Sequence, residues 1–386
     1  MTEWKEYKLG EIADVRDGTH DSPKESNNGF PLVTSKNIKN GKIDLSNTYL
    51  ISKSDYEFVN QRSKVDKWDI LFSMIGTIGE CAIVKQQPEY AIKNVGLFKT
   101  HGDELLAYWI YYYIHSQQAK SEMRACIKGS TQQYISLSDL RNFPIELPIK
   151  EKQLEIVSIL SSLDDKIDLL HRENATLEQM AETLFRQWFV VERKEEWEEV
   201  ALGDVVKTTS GGTPSRKISE YYENGTINWV KSKELDGSFI SSTEELITEE
   251  AVANSSAKML PEKSVLIAMY GATVGEYGIL SKPMTCNQAV CALIPNKNYP
   301  YTYLYVWTAL MKEDFINLAS GAAQQNISQD LIKQQIVCSD LDKIKQYDEM
   351  VRGYFEKMEN NQKQIQTLIQ MRDGLLPRLM SGEVKI

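Results

Sequence analysis

The chain repeats itself, and a repeat restricts the possible folds more than any single motif does. Glu3-Trp4-Lys5-Glu6-Tyr7-Lys8-Leu9-Gly10-Glu11-Ile12 returns as Glu196-Trp197-Glu198-Glu199-Val200-Ala201-Leu202-Gly203-Asp204-Val205. Gly18-Thr19 matches Gly212-Thr213 at a shift of 194, and Val33-Thr34-Ser35-Lys36 matches Val230-Lys231-Ser232-Lys233 at 197. Met74-Ile75-Gly76 and Gly79-Glu80 match Met269-Tyr270-Gly271 and Gly275-Glu276. Gly129-Ser130-Thr131-Gln132-Gln133-Tyr134-Ile135-Ser136 matches Gly321-Ala322-Ala323-Gln324-Gln325-Asn326-Ile327-Ser328. Five matches in one order, with shifts confined to 192–197, define a tandem duplication.

Each copy has two textures. Short β-like runs (68–74, 81–84, 265–269, 290–294) alternate with Gly, Asn and Ser turns, and one aromatic-rich helical stretch follows (105–127, then 301–318). These features predict α+β domains over 1–150 and 193–342. Residues 151–192 and 343–386 read as long helices, the second ending in a C-terminal tail. Ile156, Leu160, Leu163, Ile167, Leu170, Asn174, Leu177, Ala181, Leu184 and Trp188 recur at steps of four and three. So do Ile344, Tyr347, Val351, Tyr354, Met358, Asn361, Ile365, Leu368, Arg372, Leu375 and Leu379. A 3.5-residue period makes one narrow apolar stripe and calls for a partner helix. The two stripes are most simply each other's partners. In an antiparallel pair Asn174 and Asn361 meet, and such a pair sets register. A parallel pair needs a domain-sized return connection, which residues 196–345 supply, so chain length leaves the direction open.

Composition excludes several classes. No run of 18 apolar residues and no apolar leader appears, and the five cysteines form no CxxC pair. A cytoplasmic location without membrane, disulfide or metal is expected. GxxxxGK[ST], GxSxG and HExxH are absent, the four histidines are far apart, and none of the 11 prolines precedes Pro or Asp. No catalytic residue is assigned. The net charge of −10 argues against a chain that grips phosphates alone.

What remains are polar loops that occur twice. Gly18, Thr19 and His20, with Gly211, Gly212, Thr213 and Arg216, offer backbone N–H groups, hydroxyls and side-chain donors. Lys36 and Asn37, with Lys231 and Lys233, follow short strands. Gln132, Gln133 and Tyr134, with Gln324, Gln325 and Asn326, sit between a helix and a strand. Such side chains suit phosphate and base-edge contacts.

This arrangement resembles the specificity (S) subunit of Type I restriction–modification enzymes. The runs 209–216 and 17–23, with Ile227-Asn228-Trp229-Val230-Lys231, are similar to the opening of that family's target-recognition domain. Residues 129–136, then Leu147-Pro148 and Glu151-Lys152-Gln153, resemble the junction into its helical spacer. Leu184-Phe185-Arg186-Gln187-Trp188-Phe189 and residues 375–383 resemble its helix endings. The resemblance implies two target-recognition domains on an antiparallel helix pair, reading an asymmetric, two-part site in double-stranded DNA with a fixed gap. It implies two methyltransferase (M) subunits, which bring S-adenosylmethionine, and motor–nuclease (R) subunits using ATP and Mg. A 35-residue helix is about 50 Å long at ~1.5 Å per residue, enough to separate half-sites one DNA turn apart, roughly 34–36 Å. Arg372, which interrupts the second stripe, is expected to face a partner subunit. Alternative readings are a two-headed scaffold for non-DNA ligands and the specificity subunit of a stand-alone methyltransferase.

Overall fold

The computed structural model describes residues 4–130, 133–194, 196–320 and 326–383. The chain divides into two compact units, Met1–Lys166 with Leu368–Ile386, and Ile167–Thr367. Each unit therefore contains one globular part and segments of both long helices.

The two globular parts share one topology. In the first, strands Asp14–Asp17, Gly96–Lys99, Ile70–Phe72 and Cys81–Ile83 lie side by side in that order, all antiparallel. In the second, Lys207–Ser210, Val290–Ile294, Val265–Ala268 and Tyr277–Leu280 repeat this order, with Phe239–Ile240 added in parallel at the edge. Each also has a parallel pairing, Leu32–Val33 on Ala91–Ile92 and Trp229–Val230 on Thr285–Cys286.

Alternation along the strands builds two cores per unit, because successive side chains leave opposite faces of a sheet. Ile70, Phe72, Ile83 and Phe98 face the aromatic helix Glu104–His115, whereas Leu71, Ala82 and Leu97 pack with Val33, Val65 and Ile92. In the second unit Val265, Ile267, Ile279 and Leu293 face helix Tyr301–Ser320, and Leu266, Ala268, Leu280 and Ala292 pack with Val230 and Ile240. The aromatic stretch of the first copy differs from expectation. It is two helices, Glu104–His115 and Gln117–Cys126, because Ser116 turns extended and its side chain accepts from Ala119 N, capping a new helix.

The long helices run from Lys150 to Phe185, extended by π turns Arg186–Val191, and from Leu341 to Met380. None of the helices among the described residues is long and apolar enough to cross a membrane. Ile156 and Leu160 share a core with Leu376 and Leu379 in the first unit; Ala181 shares one with Tyr347 and Val351 in the second. Numbers rise along one helix as they fall along the other, so the pairing is antiparallel.

Ile167, Leu170, Ile344, Met358 and Ile365 are also buried, and Leu163, Asn174, Leu177, Leu184, Trp188, Leu368 and Leu375 are partly buried. Beyond Ala181 the buried side moves to Phe185 and Phe189, one residue from Leu184 and Trp188. There the helix packs on Tyr303 and Tyr347, and the π turns rotate its face. Arg372 departs from expectation as well. Its guanidinium bonds Asp164 Oδ1 at 2.9 Å, and Asp164 also accepts from Tyr112 OH at 2.7 Å. The stripe is interrupted by a charge matched inside the chain.

Asn361 Nδ2 donates to Asn174 Oδ1 and Glu173 Oε2, each at 2.8 Å. Asn361 is 0% exposed, and its Oδ1 has no hydrogen-bond partner among the described residues. An unmet buried acceptor costs about 1–3 kcal/mol, so the pair favours one register at the expense of stability. Asn361→Leu is expected to leave the unfolding free energy unchanged or raise it by about 1 kcal/mol in urea titration. A fall of more than about 2 kcal/mol would show that the amide pair stabilises the fold.

Candidate nucleic-acid interface

The sheet brings the recurring loops to one end. Asp17, Gly96 and Phe72 lie directly opposite one another, as do Ser210, Cys291 and Ile267. At that end the chain leaves one strand into residues 18–23, leaves another into 73–80, and enters a third from Lys93-Asn94-Val95. The second unit presents residues 211–216, 269–276 and 287–289 in the same way.

Backbone hydrogen bonds reveal the true equivalence of the glycine loops. Gly18 N donates to Val95 O at 2.8 Å and Thr19 N to Ile92 O at 3.0 Å. Gly211 N donates to Val290 O at 3.4 Å and Gly212 N to Cys286 O at 2.9 Å. Gly18 is thus the counterpart of Gly211, and Thr19 of Gly212. This corrects the pairing of Gly18 with Gly212 by one residue. A side chain on Gly18 would place its Cβ 2.5 Å from Ile92 O, and one on Gly211 would come closer still to Cys286 O. Both glycines serve a close backbone crossing.

The next residue along carries the side-chain difference. His20 Nδ1 lies 2.8 Å from Asn94 Oδ1, and the corresponding Thr213 Oγ1 donates to Gln288 Oε1. The same cross-link is made by different chemistry in each unit.

Lys36 and Lys233 occupy matching 3-10 turns, Ser35–Asn37 and Ser232–Glu234. Asn37 leaves the candidate contact set on geometry. It is buried, its Oδ1 accepts from Thr34 N and Oγ1 at 2.9 Å each, and its Nδ2 donates to Asp44 O at 3.1 Å. Glu234 does the same capping for Lys231 N at 2.8 Å. Lys36 is exposed and has no hydrogen bond or ion pair among the described residues.

Gln132, Gln324 and Gln325 lie outside the described residues. Their neighbours close on the 73–80 turn and its counterpart: Ile135 N donates to Met74 O at 3.0 Å and Ile327 N to Met269 O at 2.9 Å. Gly76 N donates to Gln133 O at 3.3 Å, and Tyr134 and Asn326 form single bridges with Ile75 and Tyr270. Two landmarks far apart in sequence meet in each unit. Past this point each chain enters a short helix, Leu137–Arg141 or Gln329–Lys333, capped by Ser136 or Ser328, before the strand that sequence placed there directly.

Carboxylates hold most of the nearby cations. Arg216 reaches Glu245 at 2.6 Å and covers the rings of Tyr222 and Trp229 at 4.2 and 5.2 Å. Lys231 lies 3.2 Å from Glu245, and Lys233 2.5 Å from Glu244. Burial pushes the Glu245 carboxyl up, but its hydrogen bonds to Arg216 and Lys231 outweigh that and hold it below the usual range. In the first unit Asp17, only 5% exposed, accepts from Arg62 at 2.5 Å and lies 2.9 Å from His20 Nε2. Glu244 and Glu245 were not legible as site residues, because they are remote in sequence from Arg216 and Lys231. The buried Cys286 and Cys291 thiols are pushed up to about 12 by burial, the direction opposite to an activated nucleophile.

A family model described as the Type I restriction modification DNA specificity domain matches twice, over residues 1–179 and 194–338. Over its full length the chain is 25% identical to the MjaIX Type I specificity subunit of Methanocaldococcus jannaschii, covering 94% of that protein. It is also 25% identical to the HindI specificity subunit of Haemophilus influenzae, with all of both chains aligned. The crystal structure of a Type I S subunit from M. genitalium superposes with a TM-score of 0.58 at 17% identity, covering 98% of this chain and 96% of that one, a likeness of fold. With its duplicated units each matched by the one family model, the chain belongs to the Type I restriction–modification specificity subunits.

Proposed function

We propose that the chain reads an asymmetric, two-part site in double-stranded DNA with a fixed gap, as a cytoplasmic, non-catalytic subunit. It docks two M subunits, which bring S-adenosylmethionine and methyl transfer, and R subunits, which bring ATP, Mg and cleavage. One observation carries this reading. The loop ends of the two sheets share their backbone hydrogen bonds while their side chains differ: His20 with Asn94 against Thr213 with Gln288, and Thr34 against Lys231. A common frame with unlike side chains is what two heads reading unlike half-sites require, since base edges are distinguished by their donor and acceptor patterns.

The paired cations add a second expectation. Phosphate contacts made by free Lys and Arg dominate affinity and salt dependence. With Arg216, Lys231 and Lys233 held by Glu244 and Glu245, the second unit's candidate loops offer fewer free cations to phosphate, and M subunits supply most of the phosphate grip.

Mapping methylated positions in a genome carrying this subunit and its M partner tests the central reading. A gapped motif with two different halves is expected; a palindrome or no motif would overturn it. Deleting seven residues from each long helix beside the Asn174–Asn361 pair removes about 10 Å of rod. The mapped gap should shorten, roughly by three base-pair steps at ~3.4 Å, with both half-sites kept; an unchanged gap would refute the ruler role.

Lys36→Ala should lose about tenfold at one base position if Lys36 reads a base, and lose evenly at every sequence if it holds phosphate. Glu245→Gln, which removes the carboxylate paired with Arg216 and one of the two paired with Lys231, should strengthen binding to random duplex and steepen its salt dependence in gel shifts. Binding unchanged in both affinity and salt slope would show that these acids do not restrain the cations.

A further inference from the structure

The chain has 19 tyrosines, and 17 of them are buried or half-buried. The two exposed ones are Tyr134, at 42%, and Tyr270, at 43%. Phe58, on helix Lys53–Ser63, is the other exposed aromatic among the described residues. The two tyrosines are not scattered. Tyr134 bridges Ile75 in the first unit, and Tyr270 bridges Asn326 in the second. By the duplication Ile75 corresponds to Tyr270, and Tyr134 to Asn326. Each unit therefore carries one exposed tyrosine on the same bridge, but on opposite partners of it.

Both are rooted in stiff backbone. Tyr134 exchanges two hydrogen bonds with Lys128, each 2.9 Å, and the next residue, Ile135, donates to Met74 O. Tyr270 O accepts from Thr273 Oγ1 at 3.1 Å, while Met269 O accepts from Ile327 N. Beside each bridge stands a glycine at positive φ, Gly76 at 79° and Gly271 at 67°, with no atom of the described residues near the place of a Cβ. The rings thus stand on a hydrogen-bonded base, exposed among the described residues. They lie at the sheet end that also carries the 18–23 and 211–216 loops, since Phe72 and Asp17 align there, as do Ile267 and Ser210.

We propose that Tyr134 and Tyr270 are specificity-determining contacts, each laying its ring and hydroxyl against a base-pair edge of its own half-site. This rests on the DNA-reading function above and names the residues that perform it. A tyrosine suits discrimination better than grip. It carries no charge for phosphate, but its ring can pack on a thymine methyl and its hydroxyl can donate or accept at a base edge. Placement on opposite sides of the bridge would direct the two rings to different base positions, adding to the asymmetry of the site.

The test exchanges each tyrosine for the residue that the other copy already tolerates at that position, Tyr134→Asn and Tyr270→Ile. Each variant is purified with its M partner, checked for assembly by co-purification, and mapped for methylated sites beside the unaltered complex. Tyr134→Asn should reduce discrimination about tenfold at one base position in one half-site, leaving the other half intact, and Tyr270→Ile should do the reverse. Unchanged motifs, an even loss at all sequences, or loss of assembly would overturn the proposal. An unaltered complex with no gapped motif would overturn the DNA reading itself, and this inference with it.

Discussion

The pairing of two apolar stripes that start almost two hundred residues apart governs the rest of this structure. Neither globular part closes its core with its own contiguous sequence. The first takes Leu376, Leu379 and Met380 from the far end of the chain, beside Ile156 and Leu160. The second takes Ala181, Phe185 and Phe189 from the first long helix, against Ile344, Tyr347 and Val351 from the second. Both units therefore depend on long-range contacts, whose loop-closure entropy must be met before burial compensates for it. Apolar burial at roughly 25 cal/mol per Å2 drives the pairing without direction; direction and register come from the few polar groups along it. Asp164 with Arg372 in one unit, and Asn174 with Asn361 in the other, provide them.

Against that support, each globular part holds its loops on a shared framework while the loop side chains vary. The framework is made of backbone bonds: glycine loop to neighbouring strand, 3-10 turn to strand end, and the Ile135 and Ile327 amides to the Met74 and Met269 carbonyls. Such bonds tolerate many side chains, which is how two copies diverge in sequence while keeping one topology. His20 against Thr213 and Ile75 against Tyr270 differ in chemistry while the backbone bonds around them are kept. Asn37 shows the opposite case. Its polar side chain looked like a base reader in the sequence, yet capping and turn bonds occupy it from both ends.

The duplication, the α+β character and the helical stripes were legible in the sequence because each is a periodic or repeated signal over many residues. What escaped was local or three-dimensional. The glycine-loop alignment slipped by one, since Gly211 and Gly212 are adjacent and only their hydrogen-bond partners distinguish them. The break at Ser116 was hidden by helix-compatible residues on both sides, although a serine is itself a capping signal. Arg372 looked like a gap in the stripe because Asp164, its partner, lies on the other helix. Of the two exposed tyrosines the sequence singled out only Tyr134; Tyr270 was one among 19, and burial together with the bridge sets it beside Tyr134.

The acidic balance of the chain, at first an argument against DNA, follows from the same division of labour. Arg62, Arg216, Lys231 and Lys233 are paired with Asp17, Glu245 and Glu244, whereas Lys36 is left unpaired among the described residues. A reader with loose, unpaired lysines would bind every sequence strongly, and non-specific sites in a genome outnumber specific ones by orders of magnitude. Selectivity is a difference of affinities, and it grows when the sequence-independent component is kept small. On the proposed reading, ion pairs that lower the grip of the isolated chain, beside neutral donors and rings set against base edges, raise that difference. On the same reading, the proposed M subunits then supply affinity to the assembly without weakening the choice of site.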